Sequence, residues 1–259
     1  MSARFIGLDL AWSPRNTSAA VVLEAREHKV HWIDHRERLG DDGEVLSFLC
    51  NSAQSGPALI AIDAPLIVPN EQGARPVDRE ITRIFGRFGA GCYPANRSRG
   101  CTRGEAIVEA LTRQGFAQEP FIERRTAKRA VFEVYPHPAT IALFDLEQTL
   151  KYKARPGRTL DSRCQELRRL RDQVLQLANA QPALISRCDV LTQDLQVLRG
   201  LRLKRYEDLL DAVVCAYTAC YAWYWGPKGY QVYGDTCQGY ILVPMTRRMR
   251  QRLAEHGIS

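Results

Sequence analysis

Apolar and polar positions follow two rhythms along this chain, one with a period of two and one close to 3.6. Three β-like segments come first, RFIGLDLAW (4–12), TSAAVVLEA (17–25) and KVHWIDH (29–35), joined by the turn-rich SPRN and the polar REH; their order predicts a meander. Val45, Leu46, Phe48 and Leu49 then fall at helical spacing behind Asp41 or Asp42 as a cap. After the SGP break, ALIAIDAPL (58–66) is almost wholly apolar. Such a run suits a strand covered on both faces.

Further along, Ile81, Ile84, Phe85 and Phe88 mark one helix. Thr102 with Glu105 three positions on predicts a capping box opening another, which Gly115 ends. RAVFEVYP (129–136) is the next β-like run, stopped by Pro136 and Pro138, and long helical patterns cover roughly 160 to 179 and 204 to 225. GYQVYGD and GYILVP read as a closing hairpin before a basic tail helix. A meander, a helix, a strand, more helices and a fifth strand predict one mixed α/β sheet with helices on its faces. No repeat or linker divides residues 1–259, so a single domain is expected, with a helical, Arg-rich insertion around 64–130 between the fourth and fifth strands.

Composition narrows the class. Apolar residues make up 45% and charged residues 25%, which excludes wholesale disorder. The net charge of +7 favours a polyanionic partner such as nucleic acid or nucleotide. Eight cysteines form no C-x-x-C pair and no metal-ligand spacing, so they read as reduced thiols of a cytoplasmic protein. Asp9 interrupts the only candidate leader, and no apolar run is long enough to span a membrane.

The candidate chemistry lies in acids on apolar elements. On strand periodicity Phe5, Gly7, Asp9 and Ala11 share one face, and Ile6, Leu8, Leu10 and Trp12 the other. Asp9 therefore needs a partner, because a carboxylate among apolar groups neutralises itself unless a cation pairs with it. Asp63 repeats the situation at the carboxyl end of LIAID, the sheet edge where α/β proteins place ligands. Asp208 and Asp211 stand three apart at the expected opening turn of an apolar helix, where the helix dipole also favours negative charge. Glu133 adds an acid on the last run. Oxygen-rich clusters of this kind suit Mg²⁺ or Mn²⁺. Each acid also has a plain reading: Asp208 as a helix-start residue, Asp63 as a turn former, Asp9 salt-bridged to an arginine, Glu133 facing out from an edge strand.

Basic residues supply the substrate side. Arg79, Arg83 and Arg87 form one helical stripe able to track phosphates, with a solvated helix face as the plain alternative. Lys153 is a candidate phosphate contact, Lys128 with Arg124, Arg125 and Arg129 makes a second cluster, and His137 is a candidate proton carrier or phosphate contact, with a loop or helix-start histidine as the plain and favoured alternative. Tyr93 and Tyr135 are candidates for stacking on a base or for packing.

GLDLAW, IDAPL, the Asp78-Arg79 pair, YPA at 93–95, FEVYPHP, YK at 152–153, DLLDA and GYILVP, in that order, resemble the family known as domain of unknown function 429, described as predicted nucleases with an RNase H-like fold. The resemblance implies a five-stranded sheet in the order 3-2-1-4-5 and a site of two metal ions. Asp9, Asp63 and Asp211, with Asp208 beside it, match the metal-binding acids, and Glu133 matches a further acid. It implies a metal-dependent nuclease in which one ion activates water and the other stabilises the leaving oxygen. Two other classes compete. An actin-like nucleotide-binding phosphotransferase shares the sheet but uses Gly-rich phosphate turns, where this chain has SPRN; a non-catalytic nucleic-acid-binding module is expected to lose an acid, and here all are present.

Overall fold

The structure, a computed structural model, describes residues 2–13, 15–27 and 29–258. Strands β1 (Arg4–Asp9), β2 (Ser18–Arg26) and β3 (Lys29–Leu39) form the expected antiparallel meander. Helix α1 (Asp42–Ala53) follows, its first turn closed by Asp41, whose Oδ1 accepts from the Glu44 amide at 2.9 Å. Strand β4 (Ala58–Asp63) returns parallel to β1. The insertion then supplies α2 (Pro76–Phe85), α3 (Arg103–Arg113) and β5 (Ala117–Gln118) before β6 (Arg129–Glu133) lies down parallel to β4. Helices α4 (Pro136–Phe144) and α5 (Leu160–Gln176), strand β7 (Ala183–Ile185) and the long α6 (Gly200–Trp225) come next. A separate hairpin, β8 (Tyr230–Asp235) and β9 (Gly239–Pro244), and α7 (Arg247–Glu255) complete the described chain.

The central sheet has seven strands in the order β5-β6-β4-β1-β2-β3-β7, where five were expected. The two additions are edge strands of two and three residues, too short to carry a period-two signal. The alternation along β1 sorts its side chains into two cores. Phe5 joins Ala19, Val21, Leu23 and Ala61 under α6, while Ile6, Leu8 and Leu10 join Ala20, Val22, Ile60 and Ile62 under α1 and α3.

Gly7 sets how closely α6 can approach. A methyl group there would lie 2.0 Å from the Ala212 carbonyl oxygen and 2.2 Å from the Ala216 amide nitrogen. Both are backbone atoms inside a helix, so nothing flexible can yield, and only a residue without a side chain lets helix and strand touch here. That contact fixes the distance between β1 and the acids of α6.

Three expectations are corrected. Helix α6 begins at Gly200, not near 204, because the polar LRLKRYE continues the helix N-terminally; Asp208 and Asp211 therefore sit in its third and fourth turns, away from the helix start and its dipole. This also removes the reading of Asp208 as a helix-start residue. The Thr102–Glu105 capping box does not form: the Thr102 side chain makes no cap bond, and Glu105 Oε1 instead accepts from the Val68 amide at 2.9 Å and pairs with Arg97. Glu133 does not face out from an edge strand, since the short β5 lies beyond β6 and Glu133 is buried.

Candidate functional site

Strands β1 and β4 run parallel and in register, so Asp9 and Asp63 are direct neighbours at their carboxyl ends. Asp9 follows Phe5 and Gly7 onto the face covered by α6, and α6, held close by Gly7, presents Asp208 and Asp211 to the same edge. Carboxylate oxygens of Asp9, Asp208 and Asp211 come within 4.8 Å of one another. Three acids from two elements far apart in sequence thus converge, with Asp63 beside them.

Burial and mutual repulsion dominate the electrostatics. Burial lifts the Asp9 carboxyl well above its ordinary range, and Asp208, Asp63 and Asp211 add to this against the pull of Lys153. Burial, with Asp211 close by, raises Asp63 to about 8. Asp9 Oδ2 is buried and has no hydrogen-bond partner among the described residues. A buried acceptor in that condition is costly, and it marks a place for a cation.

Protein cations answer part of the charge. The Lys153 ammonium pairs with Asp211 Oδ2 and lies 3.5 Å from Glu207 Oε1 and 3.9 Å from Asp208 Oδ1. Burial works against that charge, yet Asp211 and Asp9 hold the Lys153 pKa above the ordinary lysine value. Lys204 pairs with Asp208 from the solvent side, Arg163 reaches Glu207 Oε2 at 3.4 Å, and the Tyr152 hydroxyl donates to Asp211 Oδ1 at 2.6 Å. With all five ionised, Asp9, Asp63, Glu207, Asp208 and Asp211 would exceed Lys153, Lys204 and Arg163 by two negative charges, and the raised Asp9 and Asp63 carboxyls are the groups that resist that ionisation.

Glu133 stands apart from this group. Its two oxygens accept from Arg75 Nη2 at 2.6 Å and Nη1 at 2.9 Å, and Oε2 also takes the Leu66 amide at 2.9 Å. Arg75, only 2% exposed, spends its remaining donors on Asp78 Oδ1 and the Ile67 carbonyl. Asp78 Oδ2 accepts the amides of Arg75 and Ala95, both at 3.0 Å. This triad ties the loop leaving β4 to α2 and β6. A second buried arginine does the same after β1: Arg103 Nη1 donates to the carbonyls of Ala11 at 2.8 Å and Ser13 at 3.4 Å, and Nε to Asp42 Oδ1 at 2.7 Å.

The remaining candidates divide. Lys153 is in the site. His137 is adjacent to it, its ring 5.7 Å from that of Tyr152 and its Nδ1 3.1 Å from Thr149 Oγ1; burial lowers its pKa to about 4, so it is neutral at pH 7. Arg79, Arg83 and Arg87 are exposed on α2 and the turn after it; Arg79 bonds to the Ala74 carbonyl, and Arg83 lines a groove with Glu80, Tyr233 and Arg250 that is not lined by Asp9, Asp63, Asp208 or Asp211. Lys128 pairs with Glu119, Arg124 bonds to the Tyr224 carbonyl, Arg125 stacks on the Tyr224 ring and Arg129 on Phe116, so the second basic cluster is tied into local packing. Tyr135 donates to the Gly91 carbonyl and packs edge-on to His137, whereas Tyr93 is exposed.

Sequence reasoning missed Glu207, Tyr152 and the roles of Arg163 and Arg75. Glu207 carried a usable signal, being one turn before Asp211 and so on its face of the helix. Arg75 carried none, since a buried arginine looks like any other in a basic stretch.

Acids at the ends of two adjacent parallel strands, met by acids on a crossing helix and only partly neutralised, define an α/β protein with an acidic centre at its sheet edge. A family model described as "Protein of unknown function (DUF429)" matches residues 7–236, and the chain belongs to that family. No curated protein and no solved structure matches it. No helix among the described residues is long and apolar enough to cross a membrane, and all eight cysteines are free thiols.

Proposed function

We propose that this protein is a phosphodiester hydrolase of RNase H-like build that acts on nucleic acid with Mg²⁺ or Mn²⁺. The observation that carries the reading is the buried Asp9 Oδ2, without a partner, in a group whose oxygens lie within 4.8 Å. Hard oxygen donors at such separations fit either ion. The order β3-β2-β1-β4-β6 of the long strands supports the RNase H-like assignment, with β1 central and its acid flanked by those of β4 and α6.

Asp9, Asp208 and Asp211 would hold the metal, with Asp63 beside them. When bound, a divalent ion there supplies Lewis acidity to a phosphate oxygen and a water of lowered pKa. Loss of the protons from Asp9 and Asp63 would supply two negative charges to balance one such ion; the second ion of a two-ion site would need the charge of a substrate phosphate. Tyr152 fixes the Asp211 carboxylate by donating to Oδ1, leaving Oδ2 toward Lys153. Lys153, half-buried with its ammonium among the acids, is placed to neutralise a scissile phosphate. His137, neutral at pH 7, can accept a proton near the Tyr152 ring.

The test is cleavage of a panel of labelled DNA and RNA substrates with Mn²⁺ or Mg²⁺. Asp9→Asn lowers the rate by at least about 100-fold if the ion is required at this centre. Cleavage that survives the substitution, or ATP turnover with every strand left intact, overturns the reading.

A further inference from the structure

We propose that the cleft beside Asp63 binds an unpaired nucleobase of a single strand against the exposed rings of Trp12 and Tyr93. The choice of a nucleic-acid ligand rests on the hydrolase reading above. Six large apolar side chains are exposed among the described residues, and two of them, Trp12 at 38% and Tyr93 at 56%, line this same cleft with Asp63, Pro65 and Tyr135. A single exposed aromatic needs no explanation, but two beside an acidic centre mark a contact surface.

Both rings are exposed on backbone that is pinned on either side. Arg103 holds the carbonyls of Ala11 and Ser13, one on each side of Trp12. Tyr93 lies between Cys92, whose amide donates to Thr82 Oγ1 at 3.0 Å, and the Pro94–Ala95 segment, where the Ala95 amide donates to Asp78 Oδ2 at 3.0 Å. Little backbone ordering is then left for the binding event, which favours a stacking platform. The Arg155 guanidinium lies 5.0 Å above the Tyr93 ring and brings a positive charge for a phosphate next to the base.

Size and polarity select among nucleic-acid ligands. The cleft holds about 70 Å³, far below the roughly 300–1,000 Å³ of a pocket that encloses a small molecule. It is too small to surround a free nucleotide, so a base would lie against the exposed rings at its rim. A duplex keeps its base faces stacked inside, so the exposed rings are available to a single strand. All five guanidinium protons of Arg75, in the floor, are already bonded to Asp78, Glu133 and Ile67. Arg75 therefore has no donor left to read a base, and the rings contribute stacking, which is tolerant of base identity.

The experiment is fluorescence anisotropy with a labelled short oligothymidylate in EDTA, where no cleavage occurs. Trp12→Ala and Tyr93→Ala each weaken binding about 10-fold, while Trp12→Phe and Tyr93→Phe bind nearly as well as wild type, which separates stacking from misfolding. The same strand bearing abasic sites, or annealed into a duplex, binds less tightly. Arg155→Ala reduces the salt slope by about 1, and Trp12→Ala leaves it unchanged. The proposal is overturned if wild-type protein ignores the oligonucleotide, if the alanine variants bind it equally well, or if abasic and intact strands are indistinguishable. Binding through the two rings with no cut under Mn²⁺ leaves the cleft standing and removes the hydrolase. Cleavage that needs Asp9 with unaltered binding by the ring variants does the reverse.

Discussion

Asp63 and Glu133 end adjacent parallel strands of one sheet edge, and their surroundings differ in a single respect. Around Glu133 every carboxylate oxygen of the triad is bonded: both of Glu133, and both of Asp78, through Arg75 and three backbone amides. Beside Asp63 the oxygens of Asp9, Asp208 and Asp211 crowd one another, and Asp9 Oδ2 is left with no partner among the described residues. Burial is common to both groups, so burial does not distinguish a structural acid from a ligand-seeking one. The count of satisfied lone pairs does, because a closed network gains nothing from a further cation while an open one lowers its energy by taking it up.

The largest effect tests the closed side. Arg75→Met leaves Glu133 and Asp78 buried without their cation and destabilises the fold by about 3–5 kcal/mol, read from urea unfolding. Adding Glu133→Gln recovers part of that loss, since one stranded charge is removed. A loss below about 1 kcal/mol would mean that solvent reaches the triad and that its closure is unimportant.

A pH titration of stability tests the open side. Asp63, at about 8 in the fold against an ordinary carboxyl value when unfolded, binds more protons folded than unfolded across that interval. Metal-free stability therefore falls as pH rises through it. His137 acts with the opposite sign below pH 6.5: its folded value of about 4 makes stability fall as pH drops from 6.5 toward 4. The clean window is thus pH 6.5 to 8, where Tm of the metal-free protein declines, Asp63→Asn makes the decline shallower while Asp9, also raised by burial, keeps a contribution of the same sign, and Mn²⁺ raises Tm more at pH 8 than at pH 6.5. A flat profile in the wild-type protein across that window would show that the acids are already compensated.

Much of the contrast was invisible in the sequence, for physical reasons. Period-two alternation placed Asp9 on the Phe5–Gly7 face, and that face is the one α6 covers. The apolar run ending in Asp63 read correctly as a buried strand. Glu133, after three apolar residues, looked much like Asp63, after five, because nothing local says whether a cation will arrive from elsewhere. Arg75 reaches Glu133 across 58 positions, and such pairs are created by topology alone. The position of Asp208 and Asp211 in α6 was misread for a related reason: polar residues at a helix start look like a loop until the apolar stripe is seen to continue beneath them.

The smallest predicted effect sharpens the comparison most, because it repeats the Arg75 substitution on the open side. Lys204 pairs with Asp208, but its own side chain is 55% exposed, so water screens the pair. Lys204→Met therefore changes stability by about 1 kcal/mol or less. In the closed triad the cation is needed to hold the acids; here it competes with an incoming ion for the same oxygens. Removing a charge that acts through water from about 4 Å is worth about 1 kcal/mol, and Mn²⁺ binding measured by calorimetry tightens by about five-fold. Weaker or unchanged Mn²⁺ binding in Lys204→Met would place Lys204 among the groups that keep Asp208 in position, and the two clusters would then differ only in degree.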